Sequence, residues 1–303
     1  MTSSSESEPV LVVVQAARGT LSVTGPDAKT WLNGLITCDV LGVAPGAGRF
    51  GLSLNKQGKI QSEVLVVATP DGLLLGVSPG VARDVCAVLD KMLIMEDAEL
   101  SNASDDYTWS DFHGSGALTL AESAARALGG VAASMPFTSA SSATLVLGRD
   151  RQPGLEAWLA SHAEAKLATD AEWEAFRIAH ALGRFGIDFT DADNPHEAAL
   201  DRRAVSWNKG CYLGQEVVCM QDMRGKLKRR LVALSFASEA PPAAGAVVSA
   251  DGETAGEVTS AAPIPATGRA VALARLKSPY FEGKVALSVN GVPAVFVEQT
   301  SPE

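Results

Sequence analysis

Past about Lys228 the hydrophobic pattern of the chain changes, and that change constrains the architecture more than any other feature. From there on, apolar residues come in short strand-like runs: Leu231 to Phe236, Glu257 to Ser260, Val271 to Leu276, and a hairpin around Asn290-Gly291. Asn-Gly between such runs supplies the two positive-φ positions a tight hairpin needs. The tail, 228–303, is expected to be a small β-barrel or sandwich with no helix of consequence. Upstream, strands and helices alternate. Val10 to Val14 and Leu21 to Val23 read as strands, and Gly25-Pro26-Asp27 opens a helix carrying Trp31, Leu32 and Leu35. Proline at a helix's first position forfeits no bonded amide.

Phe50 to Leu54 and Ile60 to Val67 flank Asn55-Lys56-Gln57-Gly58 and read as an antiparallel hairpin, followed by a strand over Leu73 to Val77. Ser78 and Pro79 make a helix start, with Val81, Val85, Val88, Leu89 and Met92 at helical spacing. The Ala/Ser/Gly-rich stretch from Ala121 to Ala143 reads as one helix and its loops. Thr169-Asp170-Ala171-Glu172 forms a capping box whose helix carries Trp173, Phe176 and His180 on one face and stops near Gly183. No internal repeat is evident. Hairpins interspersed with helices imply an α+β fold with antiparallel sheets, not βαβ winding.

Composition narrows the functions. The 303 residues are 47% apolar and 20% charged, which is globular, and the net charge of −10 disfavours nucleic acid held by bulk electrostatics. No apolar run approaches the roughly 20 residues of a membrane span. Met1 to Pro9 is Ser/Glu-rich, expected as a short disordered tail, without signal-peptide or transit-peptide character; the expectation is a cytoplasmic protein. Cys38, Cys86, Cys211 and Cys219 show no framework spacing, so reduced thiols are expected.

Several motifs fail on context. Gly46-Ala47-Gly48-Arg49-Phe50-Gly51 fits GxGxxG, but Pro45 precedes it and an alternating strand follows, which is wrong for a dinucleotide turn. His113, His162, His180 and His196 lack paired metal spacing. Gly114-Ser115-Gly116 is a small-residue turn, not a nucleophile elbow. Cys211 is the best single candidate. Gly210 and Gly214 bracket it, and the helix expected from Gly214 points a positive dipole end its way. Arg224, Lys226, Lys228, Arg229 and Arg230 follow; cations near a thiol favour thiolate. The same run also suits a polyanionic small molecule or RNA, and a buried thiol beside a solvated turn is the plain alternative. Cys38, Cys86 and Cys219 read as packing residues.

The run Lys209-Gly210-Cys211-Tyr212-Leu213-Gly214-Gln215-Glu216 resembles the K-G-C-F/Y-x-G-Q-E signature of YgfZ-like proteins, relatives of the glycine-cleavage T-protein. The similarity extends along most of the chain. Gly25 to Ala28 with Trp31 to Asp39 is similar to the family's first-helix segment, Leu54 to Ile60 to its L-N-x-x-G-x-I hairpin, and Phe176 to Gly186 to its R-I-x-x-G segment. Asn194-Pro195-His196-Glu197 is similar to the P-x-E that follows, and Arg224-Gly225 with Lys228-Arg229 to the approach to the last domain. The resemblance implies two antiparallel sheet-and-helix domains around a central opening plus a C-terminal β-barrel-like domain. The expected division is 10–45 with 137–227 as a discontinuous folate-binding domain, 46–136 as a second, and 228–303 as the third.

It also implies a tetrahydrofolate-binding accessory protein for iron–sulfur cluster assembly or repair in client enzymes, including tRNA-thiolating ones. Its expected partners are folate and iron–sulfur client or assembly proteins, with no membrane and no direct nucleic-acid contact. Cys211, Lys209, Gln215 and Glu216 form the expected functional motif, with Cys211 facing the folate opening as a transient iron or sulfur ligand or a disulfide exchanger. Gly210, Tyr212, Gly214, Asn55, Arg177, Asp188 and Glu156 are the expected folate contacts. The alternative is a folate-dependent aminomethyltransferase with Asp84 as its acid; here Val77 to Asp84 keeps the aspartate but loses the Asn-Ala of the T-protein run. Phe185 stands where relatives carry tyrosine, so a hydroxyl contact is lost.

Overall fold

The computed structural model describes residues 8–136, 141–264 and 267–297. Its strands are β1 (Val10–Val14), β2 (Gly19–Thr24), β3 (Gly48–Leu54), β4 (Ile60–Thr69), β5 (Gly72–Val77), β6 (Glu99–Asn102), β7 (Tyr107–His113), β8 (Val131–Ser134), β9 (Ser142–Gly148) and β10 (Ala165–Leu167), then β11 (Arg229–Phe236), β12 (Val247–Ala250), β13 (Glu253–Ile264), β14 (Arg269–Lys277), β15 (Leu287–Val289) and β16 (Val292–Phe296). The helices are α1 (Ala28–Asn33), α2 (Ala82–Asp90), α3 (Ala117–Leu128), α4 (Gln152–Ala160), α5 (Asp170–Ala179) and α6 (Gln215–Arg224).

The strands form a sheet ordered β10-β1-β7-β9-β8, a second ordered β3-β4-β5-β2-β6, and a closed barrel β11-β14-β13-β12-β15-β16. The fold is thus α+β, with two sheet-and-helix units and a closed C-terminal barrel. The short β1–β10 pair is the one parallel contact among them. Helices α1 and α2 cover one face of the second sheet through Trp31, Leu32, Val85 and Leu89. Helices α3 and α4 cover the first through Leu120, Ala124, Leu155 and Leu159. A further core joins both sheets to the barrel: Phe50, Leu65 and Trp109 meet Ile178, Phe189, Leu231 and Leu273.

Local chemistry explains most elements. Thr169 Oγ1 accepts from the Glu172 amide and Glu172 accepts from the Thr169 amide, so α5 begins at the expected capping box. Asn55 Oδ1 accepts from the Gln57 and Lys59 amides, closing the β3–β4 turn on itself. Other expectations need correction. The stretch from Ala121 to Ala143 contains β8 and the first two residues of β9 besides most of α3, because Ala132, Ala133 and Ala143 are small enough to lie in the core. Ser78 and Pro79 precede α2 without capping it; the Ser78 hydroxyl accepts from the Glu63 amide instead. Pro26 lies outside α1. The expected tail falls, through residue 7, outside the described residues.

The chain enters the second sheet at Gly19 and leaves it at Asn102, while β1 and β7 through β10 build the first. Two strand-to-helix corners resemble each other. Strand β2 is followed by Gly25-Pro26-Asp27-Ala28 and β7 by Gly114-Ser115-Gly116-Ala117, each leading into a helix. Gly25 (φ 102°) and Gly114 (φ 124°) take backbone angles that favour glycine, their carbonyls accept from the Ala28 and Ala117 amides, and both alanines are buried. Among the described residues no helix is long and apolar enough to cross a membrane.

One buried ion pair ties α5 to the barrel. Arg177 donates through Nε and Nη2 to Glu174, through Nη1 to Asp188 Oδ2 at 2.8 Å and the Leu182 carbonyl, and through Nη2 to Ser260 Oγ. All five guanidinium donors are used. Asp188, with no exposed surface, also accepts from the Arg184 amide, Thr259 Oγ1 and Ser260 Oγ. Removing one partner of such a pair strands the other charge in the interior. Asp188→Ala should therefore lower the unfolding free energy by about 3–5 kcal/mol in urea titration; a loss below about 1 kcal/mol, the scale of a surface pair, would show that the network is dispensable.

Candidate functional site

The motif around Cys211 is a platform built against the second sheet. The Lys209 ammonium donates to the carbonyls of Asn33, Ile36 and Cys38 at 2.7–2.8 Å, spending all three protons on the chain that leaves α1. It also lies 5.4 Å from the centre of the Tyr212 ring. Tyr212 is buried in the central core, and burial pushes its phenol up to about 12. The Leu213 amide donates to the Gly34 carbonyl. Gly214 has φ 82°, and a Cβ there would stand 2.7 Å from the Asn55 carbonyl oxygen, so only glycine lets the loop dock on the β3–β4 turn. Helix α6 starts at once, with Gly214 as its cap.

Cys211 sits at the crest of this platform, exposed, as is Gly210, which has no close neighbour. Lys209 is committed to carbonyls, Arg229 to Asp193, and Arg230 to Asp201. Gln215 and Glu216 lie in the first turn of α6.

A separate cavity of about 110 Å³ opens between the two sheets, α5 and the 182–184 loop. Phe50, Leu65, Pro79, Trp173, Leu182 and Leu200 give it apolar walls. Its polar side comes from Gln15, Arg18, Glu63, Ser78, Asp111, His113, Arg177 and Arg184. Arg18 Nη2 donates to Asp111 Oδ2 at 3.1 Å, and Asp111 Oδ1 accepts from Thr144 Oγ1. Arg18 Nε is buried without a hydrogen-bond partner. Burial pushes the Glu63 carboxyl up to about 7 despite the nearby Arg18 charge, with the Phe185 amide and Ser78 hydroxyl bonded to it. Burial pushes His113 down to about 4, and its ring stacks on Trp173 at 5.5 Å.

Cys211 does not line this cavity, because its loop docks on the hairpin turn and the end of α1 instead. Most of the other expected contacts lie elsewhere too. Arg177 borders the cavity with its donors spent, and Asp188 is fully occupied behind it. Glu156 is exposed on α4, and Asn55 is used within its own turn. Asp84 is exposed on α2, beside a different groove with Val81, Val85, Val88 and Phe185. Arg18, Glu63, Asp111, His113 and Trp173 line the cavity and were not among the expected contacts. The available signal was charge inside strands: Glu63 in an otherwise apolar run, and Asp111 and His113 at period two with Trp109.

Among the described residues no group of three or more His, Cys, Asp or Glu side chains is arranged to hold a metal ion. Thiol accessibility differs sharply along the chain. Cys38 is buried and its thiol is pushed up to about 12 by that burial. Timed alkylation with peptide mapping should label Cys211 first, and Cys38 only as fast as the chain opens. Labelling of Cys86 or Cys219 ahead of Cys211 would contradict the platform.

Comparison with known proteins places this geometry. A family model described as the GCVT N-terminal domain matches residues 8–148, and the glycine cleavage T-protein C-terminal barrel domain matches 229–300. The "tRNA-modifying protein YgfZ" of Aliivibrio fischeri is 30% identical over 230 residues, covering 74% of this chain and 71% of that protein. The "Iron-sulfur cluster assembly factor IBA57 homolog, mitochondrial" of Mycosarcoma maydis is 26% identical, covering 75% of this chain and 58% of that one. An aminomethyltransferase of Streptomyces coelicolor is 25% identical over 84% of this chain and 75% of its own. The crystal structure of glycine cleavage system aminomethyltransferase T from Bartonella henselae superimposes with a TM-score of 0.78 at 18% identity, covering 96% of this chain and 86% of that one, a likeness of fold. The chain belongs to the YgfZ-type proteins of the glycine-cleavage T-protein family.

Proposed function

We propose that this chain is a folate-binding accessory factor for iron–sulfur proteins, with tetrahydrofolate in the central cavity and Cys211 presented outward to partners. The observation that carries the reading is the cavity. Its lining is mostly apolar, as in a small-molecule site, and half-buried Glu63 stands with buried Asp111 among its polar groups. Those residues fit a reduced folate. Trp173, Phe50 and Leu65 would flank the flat pterin, and Glu63 would accept from its amino-pyrimidine edge through two carboxylate oxygens. The unsatisfied Arg18 Nε offers a donor on the same wall. When bound, tetrahydrofolate supplies a one-carbon carrier shielded from water. The names of two relatives, one tRNA-modifying and one an iron–sulfur assembly factor, support the wider role.

The exposure of Cys211 supports work on other proteins, by transient ligation or thiol exchange, and not on the bound folate. An aminomethyltransferase reading has the Streptomyces coelicolor relative in its favour, but the acid proposed for it, Asp84, faces solvent outside the cavity.

Two measurements test the reading. Calorimetry should detect tetrahydrofolate binding that strengthens as pH rises through about 7, because Glu63 must release its proton to accept from the pterin. Glu63→Gln should weaken binding about tenfold or more, the scale of a lost charged hydrogen bond, and abolish the pH trend. Without ligand the sign reverses. Between 4.5, the ordinary value, and about 7 the native carboxyl holds a proton the unfolded chain has released, so stability declines as pH rises through that window. Cys211→Ser should keep folate affinity and lose rescue of iron–sulfur enzyme activity in a host lacking its own protein of this type. Full rescue by Cys211→Ser, or no folate binding by the wild type, would defeat the proposal.

A further inference from the structure

Helix α6 runs from the Cys211 platform to the start of the barrel, and it is held to the body unusually lightly. Of its ten residues only Val218 is buried. Its far end carries Met223, 78% exposed, and Arg224, also exposed. There Gly225, at φ 61°, ends the helix by donating to the Gln221 carbonyl, and the Gln221 side-chain amide donates to the Lys226 carbonyl. The turn is therefore fixed before anything binds. Exposed Lys226 and Lys228 follow, and Lys277 joins them from the neighbouring strand, where it lies directly opposite Arg229. Like charges placed opposite each other on a sheet destabilise it.

The cations here fall into two groups. Arg229, Arg230 and Arg275 are engaged by Asp193, Glu197 and Asp201, at 2.7 Å for Arg229 with Asp193. Arg224, Lys226, Lys228 and Lys277 have no carboxylate within ion-pair distance among the described residues, in a protein of net charge −10. The nearby Asp222 is held by Arg202 and His196. One exposed thioether and four positive charges without a carboxylate partner thus share this turn and the strand beside it. At 1.5 Å per residue the helix places this turn about 15 Å from the Cys211 platform.

We infer that the Met223–Lys228 turn with Lys277 is a docking ledge for an acidic protein partner, which lies along α6 and so comes within reach of Cys211. Methionine and arginine are enriched at the centres of protein interfaces, and lysines at the rim steer encounter. A protein fits better than RNA for two reasons. No aromatic side chain lies between residues 213 and 230 to stack on bases. The exposed Met223 would gain nothing against phosphates, whereas an apolar side chain among carboxylates would cover it. This inference names the partner surface of the function proposed above and rests on Cys211 acting on proteins.

The test uses the full-length protein and two fluorescent probes in anisotropy titrations at low salt. One is a twelve-residue Asp/Glu peptide with a central leucine; the other is a twelve-nucleotide single-stranded RNA. The peptide should bind more tightly than the RNA, with affinity falling steeply as salt is raised. Lys226→Glu with Lys228→Glu should weaken it tenfold or more without shifting the melting temperature. Met223→Ser should weaken the leucine peptide and leave a peptide with serine at that place unchanged. Tighter binding of the RNA, or equal peptide binding by the charge-reversed variant, overturns the inference. Cys211→Ser should leave peptide affinity intact, so if rescue proves independent of Cys211 the functional reading falls while the ledge stands.

Discussion

The arrangement of the three units turns on the guanidinium of Arg177. Five donors leave it and five acceptors receive them, from α5 itself, the 182–188 loop and barrel strand β13. A buried charge is tolerated only when it is so fully answered. Satisfying it therefore fixes where the barrel sits relative to α5, because Ser260 and Thr259 reach Asp188 from the barrel side. The same loop then passes Gly183 and Arg184 into the cavity wall and brings the Phe185 amide to Glu63. The network that holds the barrel in place thus also shapes the polar side of the candidate ligand site.

Much of this was legible in the chain. The capping box at Thr169 and the β3–β4 turn declare themselves through local hydrogen bonds, and local chemistry survives whatever the tertiary structure does. The barrel is legible because its alternation is uninterrupted by helical spacing. Strands β8 and β9 were hidden because alanine and serine carry weak strand preference, and their place in the sheet is dictated by neighbours. The Gly-x-x-Ala corners after β2 and β7 share only a glycine and an alanine, so their likeness shows in the backbone angles and not in the sequence.

The candidate site was legible only in part, for a physical reason. A motif read along the chain reports residues that are neighbours in sequence, as from Lys209 to Glu216. The cavity is instead assembled from β1–β2, β4, β7 and α5, each contributing one or two polar side chains. No spacing rule links Arg18 to Glu63 or Asp111; they meet because two sheets face each other across a gap. A carboxylate on the inward face of an apolar strand is a usable clue, since burying it costs free energy that the fold must recover elsewhere.

The geometry of the Cys211 run also changes what such a signature means. Lys209, Tyr212 and Gly214 are each fixed by architecture: three carbonyls, a core position, and a contact that excludes a side chain. Half-buried lysine is costly unless its donors are filled, and here the α1 exit fills them all. The distinctive composition of the run is thus mainly that of a rigid pedestal, with the exposed cysteine at its crest. A pedestal of that kind suits a thiol that must meet another macromolecule in a defined orientation, since flexibility at Cys211 would be a loss of entropy on every encounter. It would add little for a ligand already enclosed by the cavity walls.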